Sequence, residues 1–155
     1  MKKIFFTFFI AILSFHMSAF AFSPKGSFFT TSNNTVVPSS PILFDQEYFA
    51  PIGGLYYNLG SGVFVLAKKG LYEVSYGFAQ SDSNAAVALT VNGTEVAGSQ
   101  LFGNLQGQMT SATIIIPLNA GDILSVINIS TGPFNLQSFT NCITAFISIL
   151  QVEQL

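Results

Sequence analysis

The stretch from Gly62 to Phe78, GVFVLAKKGLYEVSYGF, constrains this 155-residue chain more than any other. Two apolar runs flank a basic turn at Lys68-Lys69-Gly70. After the turn, Tyr72, Val74, Tyr76 and Phe78 fall on one side, and Glu73, Ser75 and Gly77 on the other. A strict period of two is the mark of a strand with one packed face. Such a chain is built from sheets.

The rest of the sequence agrees. Short apolar runs recur between clusters of Gly, Asn, Asp and Pro, and none of them carries a helical period. The spacing predicts strands near 42–49, 62–67, 71–79, 85–91, 94–98, 109–118, 122–130, 133–137 and 143–152. Asn92-Gly93 is the strongest hairpin signal, because a type I′ turn needs positive φ at both central residues. Asn119-Ala120-Gly121-Asp122 makes a second reversal, with Asp122 expected to accept backbone N–H bonds in its own turn. Many short strands with regular turns indicate an all-β sandwich or barrel.

Three of these strands are apolar on both sides. In 122–130, Ile123, Ile127 and Ile129 oppose Leu124 and Val126; in 143–152, Ile143, Ala145, Ile147 and Ile149 oppose Phe146, Leu150 and Val152. In 85–91 the second side carries only Ala86, Ala88 and Thr90. The outer face of an antiparallel sandwich normally meets water. At ~25 cal/mol per Å² of apolar surface, leaving these faces wet is costly, so they are expected to be covered by identical subunits.

The first residues read as an export signal. Lys2 and Lys3 precede an apolar run from Ile4 to Leu13, and Ala19-Phe20-Ala21 forms an A-x-A site. Residues 1–21 are expected to be removed after Ala21. A spanning helix needs about 20 predominantly apolar residues, and this segment is interrupted by Thr7, Ser14, His16 and Ser18. Residues 22–41, rich in Ser, Thr, Asn and Pro, read as a flexible N-terminal arm, and 42–155 as the folded domain. There is no Gly-X-Y repeat, hence no collagen stalk.

Cleavage removes the single His and leaves Lys25, Lys68 and Lys69 against seven acids, a net charge of −4 with no Arg or Trp. That surface has no means of gripping a phosphate backbone, which excludes nucleic acid as a main partner. Without His, the usual general bases and imidazole metal sites are unavailable. The acids Asp45, Glu47, Glu73, Asp82, Glu95, Asp122 and Glu153 are scattered, and none sits in a recognisable glycosidase arrangement. The expectation is a non-enzymatic protein without cofactor. Asp82, in Gln80-Ser81-Asp82-Ser83-Asn84, is the best candidate oxygen ligand for Ca²⁺, but an Asx-turn between strands is the favoured account. The lone Cys142 beside Ile143 is expected to be a buried small hydrophobe, an intermolecular bridge being the alternative. Sequons at Asn33, Asn92 and Asn128 are three-letter matches of a kind that arises by chance.

Phe64, Gly70, Tyr72 and Tyr76, with Tyr57 seven residues before Phe64, match the signature of the C1q/TNF-like superfamily, which the chain resembles over about 42–152. The likeness is greatest to the BclA-like C-terminal heads of bacterial collagen-like spore-surface glycoproteins. Val74 replaces the usual Phe, while Ile52 and Gln46 depart from the vertebrate pattern. The resemblance implies a jelly roll of about ten antiparallel strands that assembles as a homotrimer. Its axis-facing sheet would carry 85–91, 122–130 and 143–152, with Ala86, Ala88, Leu124, Val126, Phe146 and Leu150 at the interface. The function this implies is a secreted or cell-surface structural or adhesive head that contacts proteins. The alternative is a carbohydrate-binding module. It would use the loops 98–108 and 131–141, where Phe102, Asn104, Phe134 and Asn135 combine aromatic rings with amides; Phe139, Gln106, Gln137 and Asn141 accompany them, although the simpler expectation is that these aromatics plug the ends of the barrel.

Overall fold

The computed structural model describes residues 23–81, 84–103, 105–137 and 142–155, all of them in strands, turns or loops. The strands are β1 (Lys25–Thr30), β2 (Thr35–Val36), β3 (Gln46–Ile52), β4 (Leu55–Tyr57), β5 (Phe64–Leu66), β6 (Gly70–Ala79) and β7 (Ala85–Val91). They continue with β8 (Thr94–Glu95), β9 (Leu101–Gly103), β10 (Met109–Leu118), β11 (Ile123–Asn128), β12 (Phe134–Asn135) and β13 (Ala145–Gln154). One sheet has five strands in the order β10-β6-β13-β1-β3; the other runs β4-β5-β11-β7-β8, with β9 also paired to β7. Every pairing is antiparallel. Two-residue β2 and β12 close one end.

β6 does what its alternation dictates. Tyr72, Val74, Tyr76 and Phe78 point inward and are buried, while Leu71, Glu73 and Ser75 are only half-buried. They meet Leu89 of β7 and Leu124 and Val126 of β11 in one core, which Phe28, Phe44, Phe64, Ile147 and Ile149 complete. Asn92 and Gly93 both have positive φ, 53° and 79°, so the β7–β8 turn is the expected I′ hairpin. Asp122 accepts the backbone N–H of Asn119 at 2.7 Å through its carboxylate, as its turn requires.

Two expectations are corrected. Within the expected arm, 22–41, β1 is an interior strand between β13 and β3 with Phe28 fully buried, so this segment is not loose. The Ser- and Pro-rich composition concealed a strand whose backbone is paired along both edges. Pro41 bridges Ile127, and the Ile42 N–H reaches the Val126 carbonyl at 2.8 Å. Secondly, the three doubly apolar strands do not share a sheet: β7 and β11 pair in the six-stranded sheet, and β13 lies between β6 and β1 in the other. Hydrophobicity says that a strand is covered on both sides; backbone pairing decides which sheet holds it. The leader, residues 1–21, lies outside the described residues.

Candidate interaction surface

The signature tyrosines are structural, and they explain why the pattern asks for tyrosine. Tyr57 stacks on Phe64 with ring centroids 4.3 Å apart and packs against Phe28 at 4.6 Å. Its hydroxyl donates to the Phe44 carbonyl at 2.6 Å and accepts the Phe44 N–H at 3.1 Å. The Tyr72 hydroxyl donates to the Lys68 carbonyl at 2.7 Å, and the Tyr76 hydroxyl to the Ser99 carbonyl. Each ring fills the core while its phenol secures a loop, which satisfies a buried oxygen that would otherwise be costly. Burial raises the pKa of all three above the ordinary 10.0; loop hydrogen bonds partly offset this at Tyr57 and Tyr76. Gly70 is needed for a close approach, because a Cβ there would lie 2.4 Å from the Glu153 carbonyl oxygen.

The outer face of the five-stranded sheet can be read row by row from its register. One row runs Gln46–Phe29–Phe146–Gly77–Ser111, and the next Phe49–Ser27–Ser148–Ser75–Thr113. The third is Ile52–Lys25–Leu150–Glu73–Ile115. A belt of four small hydroxyl residues thus lies between a row that carries Phe29 and Phe146 and a mainly aliphatic one. Tyr48 extends the aromatic row by stacking on Phe29 at 4.5 Å. Much of this face is uncovered within the single chain: Tyr48 is 63% exposed, Phe49 46%, Leu150 39% and Ile115 60%.

The six residues expected at a subunit interface separate into three groups. Phe146 and Leu150 lie on this outer face, half-buried and exposed respectively. Leu124 and Val126 are corrected: both are buried in the chain's own core, pointing into the sandwich and away from any subunit contact. Ala86 and Ala88 lie on the outer face of the opposite sheet, beside Phe102 and Ile127, and are buried within the single chain. Small side chains between larger ones are covered without a partner, which the composition of one strand does not reveal.

The loop residues proposed for a glycan also separate. Phe134 is buried and packs on Phe78 at 5.5 Å, so it plugs the end of the sandwich. Phe102 is exposed on the opposite sheet, and Asn135 is exposed with its amide oxygen accepting the Thr35 hydroxyl at 2.5 Å. Asn104 lies outside the described residues, as do Asp82, Phe139 and Asn141. Of the described members, Phe102 and Asn135 are therefore open to a ligand and Phe134 is not. Cys142 is a further correction: it is exposed, because its apolar neighbours belong to the approach to β13 and not to the strand itself. Asn128 is buried, and its amide donates to the Val36 carbonyl at 2.8 Å, so that sequon is closed to a glycan in the folded chain. Among the described residues no cluster of His, Cys, Asp and Glu could hold a metal ion, and no helix is long and apolar enough to cross a membrane.

Two antiparallel sheets around an aromatic core, with each signature phenol on a loop carbonyl, define a jelly-roll sandwich of the C1q/TNF type. The family profile described as C1q domain matches residues 27–136, and the chain belongs to that family. No curated protein sequence matches it. Among solved structures it is similar to the globular domain of zebrafish complement 1qA, with a TM-score of 0.65 and 12% identity over 85% of this chain and 99% of the other. It is also similar to murine APRIL (TM-score 0.60, 12% identity, 84% of this chain and 100% of the other). The third is the Eiger TNF of S. frugiperda (TM-score 0.58, 16% identity, 86% and 94%). At such identities the likeness is one of fold.

Proposed function

We propose that the protein is a non-enzymatic, homotrimeric head, exported by removal of residues 1–21, that makes structural or adhesive contacts with proteins at a cell surface. The supporting observation is the outer face of the five-stranded sheet. Phe49, Ile52, Leu150 and Ile115 leave it apolar, and one Lys and one Glu are the only charges in its three rows. An uncovered apolar face of this kind is a contact surface or an aggregation hazard. The belt Ser27–Ser148–Ser75–Thr113 has no bulky side chain, so another subunit can approach the sheet closely. Membership of the C1q family, in which domains assemble in threes, favours a closed three-fold arrangement over an open one. Kinship with the BclA-like spore-surface heads is the finer reading, supported by Val74, Ile52 and Gln46 where the vertebrate pattern has other residues.

A rigid trimer presents three equivalent loop sets, so weak contacts gain avidity. Size-exclusion chromatography with light scattering tests the assembly. The exported protein is expected to elute at three chain masses, and Leu150→Glu at one. Ile123→Glu, on the opposite sheet, should leave the trimer intact. A monodisperse wild-type monomer at micromolar concentration overturns the reading.

A further inference from the structure

The β4–β5 hairpin carries a concave site apart from the contact face, and Tyr57 alone of its lining belongs to the family signature. Its lining is Tyr56, Tyr57, Asn58, Ser61, Val63 and Val65, around a volume of about 190 Å³. Two adjacent tyrosines take opposite sides of the strand. Tyr57 points inward and is held by its stack on Phe64 and its bonds to Phe44. Tyr56 points outward, opposite Val65 and in the same row as Ile123, and 61% of it is open to solvent.

The loop between the strands is held in shape before any ligand arrives. The Gly60 N–H donates to the Phe44 carbonyl at 2.7 Å, and the Ser61 N–H to the Asn58 carbonyl at 2.9 Å. The Gly62 N–H donates to the Tyr57 hydroxyl at 3.4 Å. Asn58 is exposed at the rim, and the Ser61 hydroxyl makes only 3.3 Å contacts with the backbone of Val63. No charged side chain lines the site.

An aromatic ring has a negative face, which attracts the weakly positive C–H groups of a saturated ring. Asn58 supplies both a donor and an acceptor, and Ser61 a hydroxyl able to do either. The combination suits a neutral polyhydroxylated ring with one C–H face and hydroxyls at its edge. The volume is below the roughly 300–1,000 Å³ of pockets for drug-sized ligands, so it fits a single ring unit. We infer that the Tyr56–Asn58–Ser61 hairpin binds a neutral pyranose, its C–H face on the Tyr56 ring and its hydroxyls on Asn58 and Ser61. The site lies on the six-stranded sheet, so it does not depend on the contact face of the other sheet.

Saturation-transfer NMR on the exported protein, with methyl mannoside, methyl galactoside, methyl glucoside and N-acetylglucosamine as probes, detects the contact; calorimetric titration gives its affinity. At least one sugar is expected to bind. Tyr56→Ala should weaken it by about tenfold or more, as loss of one stacking platform does, and Tyr56→Phe by less than about threefold. Asn58→Ala should weaken it without abolishing it. Because Tyr56 is exposed, the melting temperatures of these variants should match the wild type, which separates lost binding from lost folding. Absence of transfer to all four sugars overturns the inference. So does binding that survives Tyr56→Ala, or that is removed by Phe102→Ala instead.

Discussion

At the scale of single residues, the tyrosine hydroxyls show how a core position acquires a second role. Tyr57→Phe keeps the stack on Phe64 but removes the group that both donates to the Phe44 carbonyl and accepts its N–H. The expected loss is about 1–3 kcal/mol, the cost of stranding partly buried backbone polar groups. Urea denaturation measures it, and an unchanged midpoint would show that water replaces the phenol. The inward direction of Tyr72 and Tyr76 was legible in the sequence from alternation alone. Their loop partners were not, since Ser99 lies 23 residues from Tyr76 and no local pattern connects them. Phe134 meets a related limit: an aromatic residue in a loop looks the same in sequence whether it points outward or caps the core, and here it caps the core.

Among the elements, the β7–β8 hairpin does more than reverse the chain. The Asn92 amide oxygen accepts the Ile123 N–H at 2.9 Å, and its nitrogen donates to the Asp122 carboxylate at 2.8 Å. A turn residue of one hairpin therefore sets the start of β11. Asn92→Ala loses the tolerance for positive φ together with both bonds, and should destabilise by about 2 kcal/mol or more. A fall in melting temperature relative to the wild type checks this; Thr94→Ala is the control that removes the sequon and leaves Asn92 in place. β7 and β10 were read to their ends because both are long and bounded by turn residues. β4 and β9, three residues each, are too short to show any period. β1 was hidden for a different reason. Its adjacent Phe28 and Phe29 face opposite sides, and its inward positions include Gly26 and the buried Thr30. Thr30 lies opposite Ala145 and its carbonyl accepts the Thr144 N–H at 2.8 Å, so a segment far along the chain fixes its place in the sheet.

For the whole molecule, the raised phenol pKa values of Tyr57, Tyr72 and Tyr76 predict a loss of stability in alkali. Each group is protonated in both states below the ordinary value of 10.0, and there its contribution is complete. As pH rises further, the unfolded chain releases its phenolic protons first, and stability falls until the folded phenols ionise too. Urea midpoints should hold steady up to about pH 9 and decline by about pH 11; a flat profile would contradict the burial of these hydroxyls. The strand membership that sequence reasoning missed is also a property of the whole, because β13 is paired between β6 and β1. That placement governs the order in which the molecule can be made. The inner strand nearest the beginning of the chain has as one neighbour the very last strand, Lys25 lying opposite Leu150. A chain growing from its N-terminal side leaves β1 without that neighbour until the residues of β13 have been added. The β13–β1–β3 half of the five-stranded sheet therefore cannot form before β13 is present, which holds back closure of the sandwich.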